Sequence, residues 1–306
     1  MLSREEALRE AEVFSITGPP ALQVRRLNNS GPPVLYVHGA TFPSALSVGY
    51  RFSDGQSWEG HLHSEGFDVW SFDFAGFGGS ERCRRSTSSL ADSRASAAAK
   101  QIARVVEHIC EQRRGAAVNI IAHSWGSIAT GCYLENHSHL AGRLVFFGPI
   151  AQRHGAEKVG VRGFPASRLI TVTAQLERFI DDVPEGEGPL LDEPGLASWG
   201  PAYLASDPTA LTRDPPAVAV PGGPAADIAA AWQGELAYDP GRITTPILLI
   251  RGEWDSLCND KDAGWLLDGL GSEVKRDLVI PGATHLMHLE EGRFALWSAV
   301  AEFLRG

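Results

Sequence analysis

A serine, an aspartate and a histidine, the three residue types of base-assisted nucleophilic chemistry, each follow a short apolar run in this 306-residue chain. Ser124 lies in Val118-Asn-Ile-Ile-Ala-His-Ser-Trp-Gly-Ser-Ile-Ala-Thr-Gly131, Asp255 follows Pro246-Ile-Leu-Leu-Ile250, and His285 follows the run from Val274 to Ile280. A serine hydroxyl is a weak nucleophile until a base takes its proton. His285 is the candidate base, and the acid that later protonates the leaving group. Asp255 would hold the imidazole in the right tautomer and stabilise its protonated form. Backbone N–H groups aimed at the developing oxyanion contribute about 3–4 kcal/mol each. Trp125 N–H is one candidate donor, and Ala40, in the turn after His38-Gly39, is the other, with Thr41 as runner-up. On the 118–131 stretch alone, a serine that only caps a helix fits equally well. The rest of the chain decides between the two.

The elements that would position these groups follow from apolar spacing. Val118, Ile120 and Ile121 form a short β-branched run suited to a central parallel strand. Small residues flank Ser124, as a strained strand-to-helix turn requires, and Ser127 to Tyr133 has helical spacing. Further strands are expected near Val13 to Ile16, Ala21 to Leu27, Val34 to Val37, Phe67 to Phe72 and Arg143 to Phe147. Helices are expected at Trp58 to Glu65, at Ser89 to Gly115 as one long helix, at Lys261 to Leu270 and at Gly292 to Leu304. This alternation implies a parallel sheet covered by helices on both faces. In such a sheet the carboxyl ends of the strands share one edge, so residues distant in sequence converge there. From Ile150 to Arg242 the rhythm breaks. No clean strand is legible, and short helices are expected around Ala174 to Asp181, Gly195 to Leu204 and Ala225 to Gly234. The large apolar residues spread through this stretch argue for an inserted helical cap rather than a disordered linker. The expected organisation is a core of residues 1–149 and 243–306, with a cap at 150–242.

Five pieces stand in order along the chain: His38-Gly39; Asp73-x-x-Gly76-x-Gly78-x-Ser80; the turn His123-Ser124-Trp125-Gly126; Gly252-Glu-x-Asp255; and His285. Together they resemble the α/β-hydrolase fold of the capped carboxylesterase, epoxide hydrolase and C–C hydrolase type, whose order of serine, acid and histidine is kept. The resemblance implies an α/β fold with a mostly parallel eight-stranded sheet and a cap inserted before the acid-bearing strand. It implies a serine hydrolase cleaving a carboxylic ester, or a related amide, lactone or thioester, of a small and largely apolar substrate. A C–C bond hydrolase or lyase using the same triad, and a non-catalytic small-molecule binder, stay open beside it. Two departures stand out. Ala122 replaces the first glycine of the G-x-S-x-G pattern, and the loop from Ala40 to Trp58 is longer than the family's usual stretch. A serine rather than an aspartate at the elbow argues against the alkyl-enzyme ester chemistry of haloalkane dehalogenases and epoxide hydrolases.

His38, Thr41, His123, Trp199 and Trp232 are the candidate substrate contacts, with Asp73 expected to be structural. His288 is the rival base, and reads as a packing residue at the start of the last helix. Asp260 and Asp262, the rival acids, fall where charges suit a helix N-terminus. The paired His-x-His spacings lack accompanying cysteines or carboxylates, so no metal is expected. Gly76-Phe-Gly78 is not followed by the third glycine of a dinucleotide fingerprint, so no cofactor is expected. A net charge of −10 argues against nucleic acid. No apolar run reaches the roughly 18 residues of a membrane span, and the charged first residues lack a signal-peptide pattern. The expectation is a cytoplasmic protein with a small-molecule substrate and no membrane partner. A homodimer stays open.

Overall fold

The computed structural model describes residues 10–82, 89–154, 163–187, 190–191 and 193–306. Ten strands and eight α-helices are seen among them. The chain opens with β1 (Glu12–Ile16), β2 (Leu22–Leu27) and β3 (Pro33–Val37), then α1 (Trp58–Ser64) and β4 (Asp68–Phe72). Next come α2 (Ala95–Gln112), β5 (Val118–His123), α3 (Trp125–His137) and β6 (Ala141–Phe147). After the stretch that follows β6, the chain ends with β9 (Ile247–Gly252), α7 (Asp260–Gly269), β10 (Lys275–Ile280) and α8 (Arg293–Arg305).

Eight strands form one sheet in the order β1-β2-β4-β3-β5-β6-β9-β10. The pairs β1–β2 and β2–β4 are antiparallel, and every later pair is parallel. This is the mostly parallel sheet that the alternating pattern predicts. All residues of β3, β4, β5 and β9 are buried. That is why these strands read as unbroken apolar runs, without the two-residue alternation of a half-exposed strand. From β3 the chain runs outward to β4 and then back past β3 to β5. With right-handed crossovers this places α1 and α2 on opposite faces. In keeping with that, α1 packs with α8 while α2 packs with α3. The reversal of strand order at β3 and β5 opens a crevice at their carboxyl ends, where Ser124 sits.

The expected single helix at 89–115 is two pieces: a 3-10 turn over Leu90–Ser93, then α2, with Arg94 extended between them (φ −72°, ψ 162°). The break is tertiary in origin. The Asp227 carboxylate accepts the Ala95 N–H at 2.7 Å and pairs with the Arg94 side chain, capping α2 from a distant part of the chain. Gly223 lies against the Ser93 carbonyl so closely that a Cβ there would sit 2.2 Å from its oxygen.

The stretch between β6 and β9 also corrects the sequence reading. It carries the three expected helices, α4 (Val172–Ile180), α5 (Glu193–Ala205) and α6 (Gly223–Trp232). It also carries two strands that were not expected, β7 (Ser167–Thr171) and β8 (Ala217–Pro221), paired antiparallel as a separate sheet. Each is only five residues long and borders a proline-containing link, so neither shows enough alternation to be recognised alone. Of this segment, α6 packs on α2 and α3, and α5 meets the short turn Ser44–Leu46. No helix among the described residues is long and apolar enough to cross a membrane.

Candidate active site

Ser124 stands between β5 and α3 at φ 54°, ψ −126°. Positive φ is rare for a residue with a Cβ and is kept where surrounding structure enforces it. The enforcement is visible. Ser124 N–H donates to the Phe147 carbonyl at 3.1 Å, and the Ser124 carbonyl accepts the Ser127 hydroxyl at 2.6 Å. Two residues on, a Cβ on Gly126 would lie 2.7 Å from the His38 carbonyl oxygen and 2.9 Å from that of Val37. Only glycine lets the first turn of α3 sit this close to the end of β3. The close approach sets the first turn of α3 against the end of β3, and Trp125 N–H is among the donors of that turn that have no partner within the helix.

His285 follows β10 in a short turn and is buried. Its Nδ1 lies 2.9 and 3.0 Å from the two carboxylate oxygens of Asp255. That contact makes Nδ1 the donor and leaves Nε2 as the basic nitrogen. Asp255, also buried, accepts from the Leu257 and Cys258 N–H groups at 2.9 and 3.0 Å. Burial pushes its pKa up, but the His285 charge and hydrogen bond, with the two N–H donors, outweigh that and hold it below the usual aspartate value. Gly148, at the end of β6, makes room for the pair. It has φ 53°, and a Cβ there would lie 2.8 Å from His285 Nδ1 and 3.1 Å from an Asp255 oxygen. Sequence reasoning did not single out Gly148; its position directly after the apolar run Arg143 to Phe147 was the available signal. The turn carrying His285 is pinned by Glu290, which takes the Thr284 N–H at 3.2 Å and the Thr284 hydroxyl through a short contact. Burial raises the Glu290 pKa to about 7, against the Thr284 hydrogen bonds.

A cavity of about 250 Å³ opens beside these groups. Ser124, His285, Gly39, Ala40, Thr41, Phe42 and His123 border it on the core side. Ala225, Ile228, Ala229 and Trp232 of α6 border it as well, with Arg168, Gln175 and Arg178 from β7 and α4. Ser124, His285, Ala40, Thr41, His123 and Trp232 are therefore brought to one cavity. His38 and Trp199 are not, and both expectations are corrected. Both ring nitrogens of His38 are used internally: Nδ1 donates to the Gly39 carbonyl at 2.8 Å and Nε2 accepts the Phe74 N–H at 3.0 Å. Trp199 is buried among Phe42, Phe179 and Tyr203, its indole N–H on the Leu46 carbonyl at 3.1 Å. His123 borders the cavity, but its ring is stacked on Phe147 and its Nε2 donates to the His285 carbonyl at 3.2 Å. The long loop after Ala40 reaches the cavity only through Thr41 and Phe42. Further along, Leu46, Val48, Tyr50 and Phe52 pack inward. Two arginines, Arg168 and Arg178, add charge to a lining that is otherwise mostly apolar.

The rival groups are accounted for. Asp262 belongs to a capping box with Asn259 at the start of α7 and pairs with Arg153 at 2.7 Å. Asp260 pairs with Arg251. His288 is fully enclosed, with neither ring nitrogen partnered among the described residues. Asp73 accepts the Ser44 N–H and hydroxyl at 2.9 and 2.7 Å, tying the long loop to the glycine-rich turn. The Cys258 thiol is buried, and burial with the nearby Asp255 charge keeps its pKa far above the ordinary value.

Asp227 and Arg168 are two residues that sequence reasoning missed. Asp227 is the lone charge in the alanine-rich helix α6, and that isolation was its signal. It is buried and accepts the Trp125 indole N–H at 2.9 Å. It therefore joins the residue after Ser124, α2 and α6 in one cluster.

The Alpha/beta hydrolase family model matches residues 34–295, and the chain belongs to that family. No curated protein matches it in sequence. Among solved structures it is similar to an esterase from Exiguobacterium antarcticum, with a TM-score of 0.67 at 18% identity, over 96% of this chain and 98% of that one. It is also similar to the thioesterase domain from the curacin biosynthetic pathway (TM-score 0.63, 14% identity, 97% and 100% covered). A third is a serine hydrolase involved in carbazole degradation (TM-score 0.64, 16% identity, 96% and 99% covered). At these identities the likeness carries the fold, an eight-stranded α/β-hydrolase sheet. Chemistry has to be argued from the site.

Proposed function

We propose that this chain is a serine hydrolase that cleaves a carboxylic ester, or a related amide, lactone or thioester, of a small molecule through an acyl-Ser124 intermediate. His285 Nε2 takes the hydroxyl proton as Ser124 Oγ attacks the acyl carbon. Asp255 holds the ring and stabilises the charge it gains. The Trp125 and Ala40 N–H groups bind the oxyanion. As the tetrahedral adduct collapses, the leaving group departs with the proton from His285. Water, deprotonated by the same nitrogen, then attacks the acyl carbon, and Ser124 leaves with that proton. Residues 150–242 act as a cap whose α4, β7 and α6 residues shape the acyl site.

The observation that carries this reading is one of placement. A serine forced to positive φ at the strand-helix turn shares a cavity with a histidine whose Nδ1 is held by a buried carboxylate. A serine that only capped α3 would use its side chain on the helix N–H groups, and no such bond is made here. The test is covalent labelling with a fluorophosphonate, read by intact mass. The expected result is one adduct on the native chain and none on Ser124→Ala. Equal labelling of both would sink the assignment.

A further inference from the structure

The cavity at Ser124 holds a positive charge that no described residue answers. Arg178, on its wall, is engaged by Asp182 at 3.1 Å. Arg168 makes no ion pair or hydrogen bond with any described residue, and its Nε is buried without a partner. No aspartate or glutamate is among the described residues lining the cavity. The contrast with a second, larger cavity of about 710 Å³ is instructive. Arg82 and Arg213 line that one, but both converge on Asp207, at 3.8 and 2.8 Å. Arginines elsewhere in the fold are answered in the same way, by Asp68, Glu59, Asp262 or Asp277.

Holding a guanidinium partly out of water without an anion is unfavourable. Burial accordingly lowers the Arg168 pKa, with only the Tyr203 hydroxyl acting the other way. The chain carries a net −10 and has no shortage of acids to place there. A vacant guanidinium fork matches a planar carboxylate in two-point geometry. The apolar strip Ala225, Ile228, Ala229 and Trp232 suits a short carbon chain. The volume falls below the roughly 300–1,000 Å³ of drug-sized sites, which favours a compact ligand.

We propose that Arg168 is a carboxylate-binding residue and that the substrate is an anionic acyl compound. It would be a half-ester or half-amide of a short dicarboxylic acid, with its free carboxylate on Arg168 and its acyl carbon at Ser124. The acyl placement rests on the hydrolase reading; the carboxylate contact does not.

Two measurements separate the claims. The first compares kcat/KM for the monoethyl esters of succinate, glutarate and adipate with that for ethyl hexanoate. The native chain should prefer at least one monoester by tenfold or more. Arg168→Gln should reduce that preference by about 10- to 100-fold, the scale of a charge-assisted hydrogen bond. Arg168→Lys, which keeps the charge and loses the fork, should fall between. Added salt should raise KM for the monoester more than for the neutral ester, a readout that needs no variant. A native preference for ethyl hexanoate, or an unchanged ratio in Arg168→Gln, overturns the proposal.

The second measurement is calorimetric titration of Ser124→Ala with monoethyl glutarate, with glutarate and inorganic phosphate as competitors. Binding should be weakened by salt and lost on adding Arg168→Gln. No binding, or tighter binding of phosphate than of either carboxylate, overturns the carboxylate assignment. Arginine-dependent binding in a chain whose Ser124 takes no fluorophosphonate leaves this assignment standing and removes the hydrolase reading alone.

Discussion

The two sides of the cavity are built by different rules. On the core side each candidate group is fixed by the backbone that carries it. Ser124 is the residue that turns β5 into α3, Asp255 folds back onto the N–H groups of Leu257 and Cys258, and His285 sits in a turn stapled by Glu290. On the opposite side, between β6 and β9, the role of a residue depends on which face of its element docks. Trp199 and Trp232 are both aromatic, both on short helices and both within the same stretch. One is enclosed in an aromatic cluster under the long loop. The other borders the cavity, with the Arg153 guanidinium 4.4 Å from its ring centre. Motif residues at strand ends are placed by local geometry, whereas wall residues are placed by packing.

The comparison can be broken first on the core side, where the largest effects are expected. Asp255→Asn keeps the shape but favours the wrong His285 tautomer, and should lower kcat by about 10⁴-fold, the loss known when a triad aspartate becomes an amide. Gly148→Ala should also be severe, because its Cβ would overlap the His285 ring while its φ of 53° strains any L-residue. A fall in kcat of about a hundredfold or more is expected, with the sheet retained by circular dichroism. Near-native turnover in Gly148→Ala would mean that the pair is not held by the end of β6.

The wall should respond in another currency. Trp199→Ala empties a site enclosed by three rings and should cost about 3–5 kcal/mol of stability, read from denaturant midpoints. Trp232→Ala removes cavity wall and should act mainly on KM and on the choice among acyl chains, with the smaller stability loss. If the two variants exchanged these signatures, the division of wall residues into packing and lining would be wrong.

This division also explains what was legible in the sequence. The parallel sheet, the elbow at Ser124 and the order of Asp255 and His285 could be read because each follows a strand whose apolar run ends in recognisable turn residues. The helices α4, α5 and α6 were legible from composition. The strands β7 and β8 were not, since five residues between proline-rich links show no period. The break before α2 was invisible because its cause, Asp227, is more than a hundred positions away. His38 was misassigned for a similar reason: only the fold reveals that Phe74 and Gly39 occupy both of its nitrogens. Arg168 could not have been noticed at all, because what marks it is the absence of a partner.

The effect expected to be smallest near neutral pH concerns the core behind the cavity, where His288 touches neither the cavity nor, among the described residues, a hydrogen-bond partner. Its ring lies 4.7 Å from that of His123 and 5.2 Å from that of Phe147. Burial, then the nearby His285 charge, lowers its pKa from 6.5 to about 3. Because the folded-state value is the lower one, the neutral ring's contribution is intact above about 6.5 and is lost as pH falls toward 3. If that whole window were realised, the loss would reach about 5 kcal/mol. Glu290 has the opposite sign. Its pKa is raised to about 7, so its contribution is full below the ordinary glutamate value near 4.5 and is lost as pH rises through 7. Comparing native chain with His288→Phe isolates the histidine, since Glu290 is common to both. The phenylalanine fills similar space, stacks on the same neighbours and leaves no ring nitrogen unpaired. Stability of the two should be similar near pH 7, and the variant should gain steadily as pH is lowered from 6.5. Parallel curves of unfolding free energy against pH would show that the ring is already protonated or solvated in the folded chain, and that the core behind the cavity is not the dry layer its burial describes.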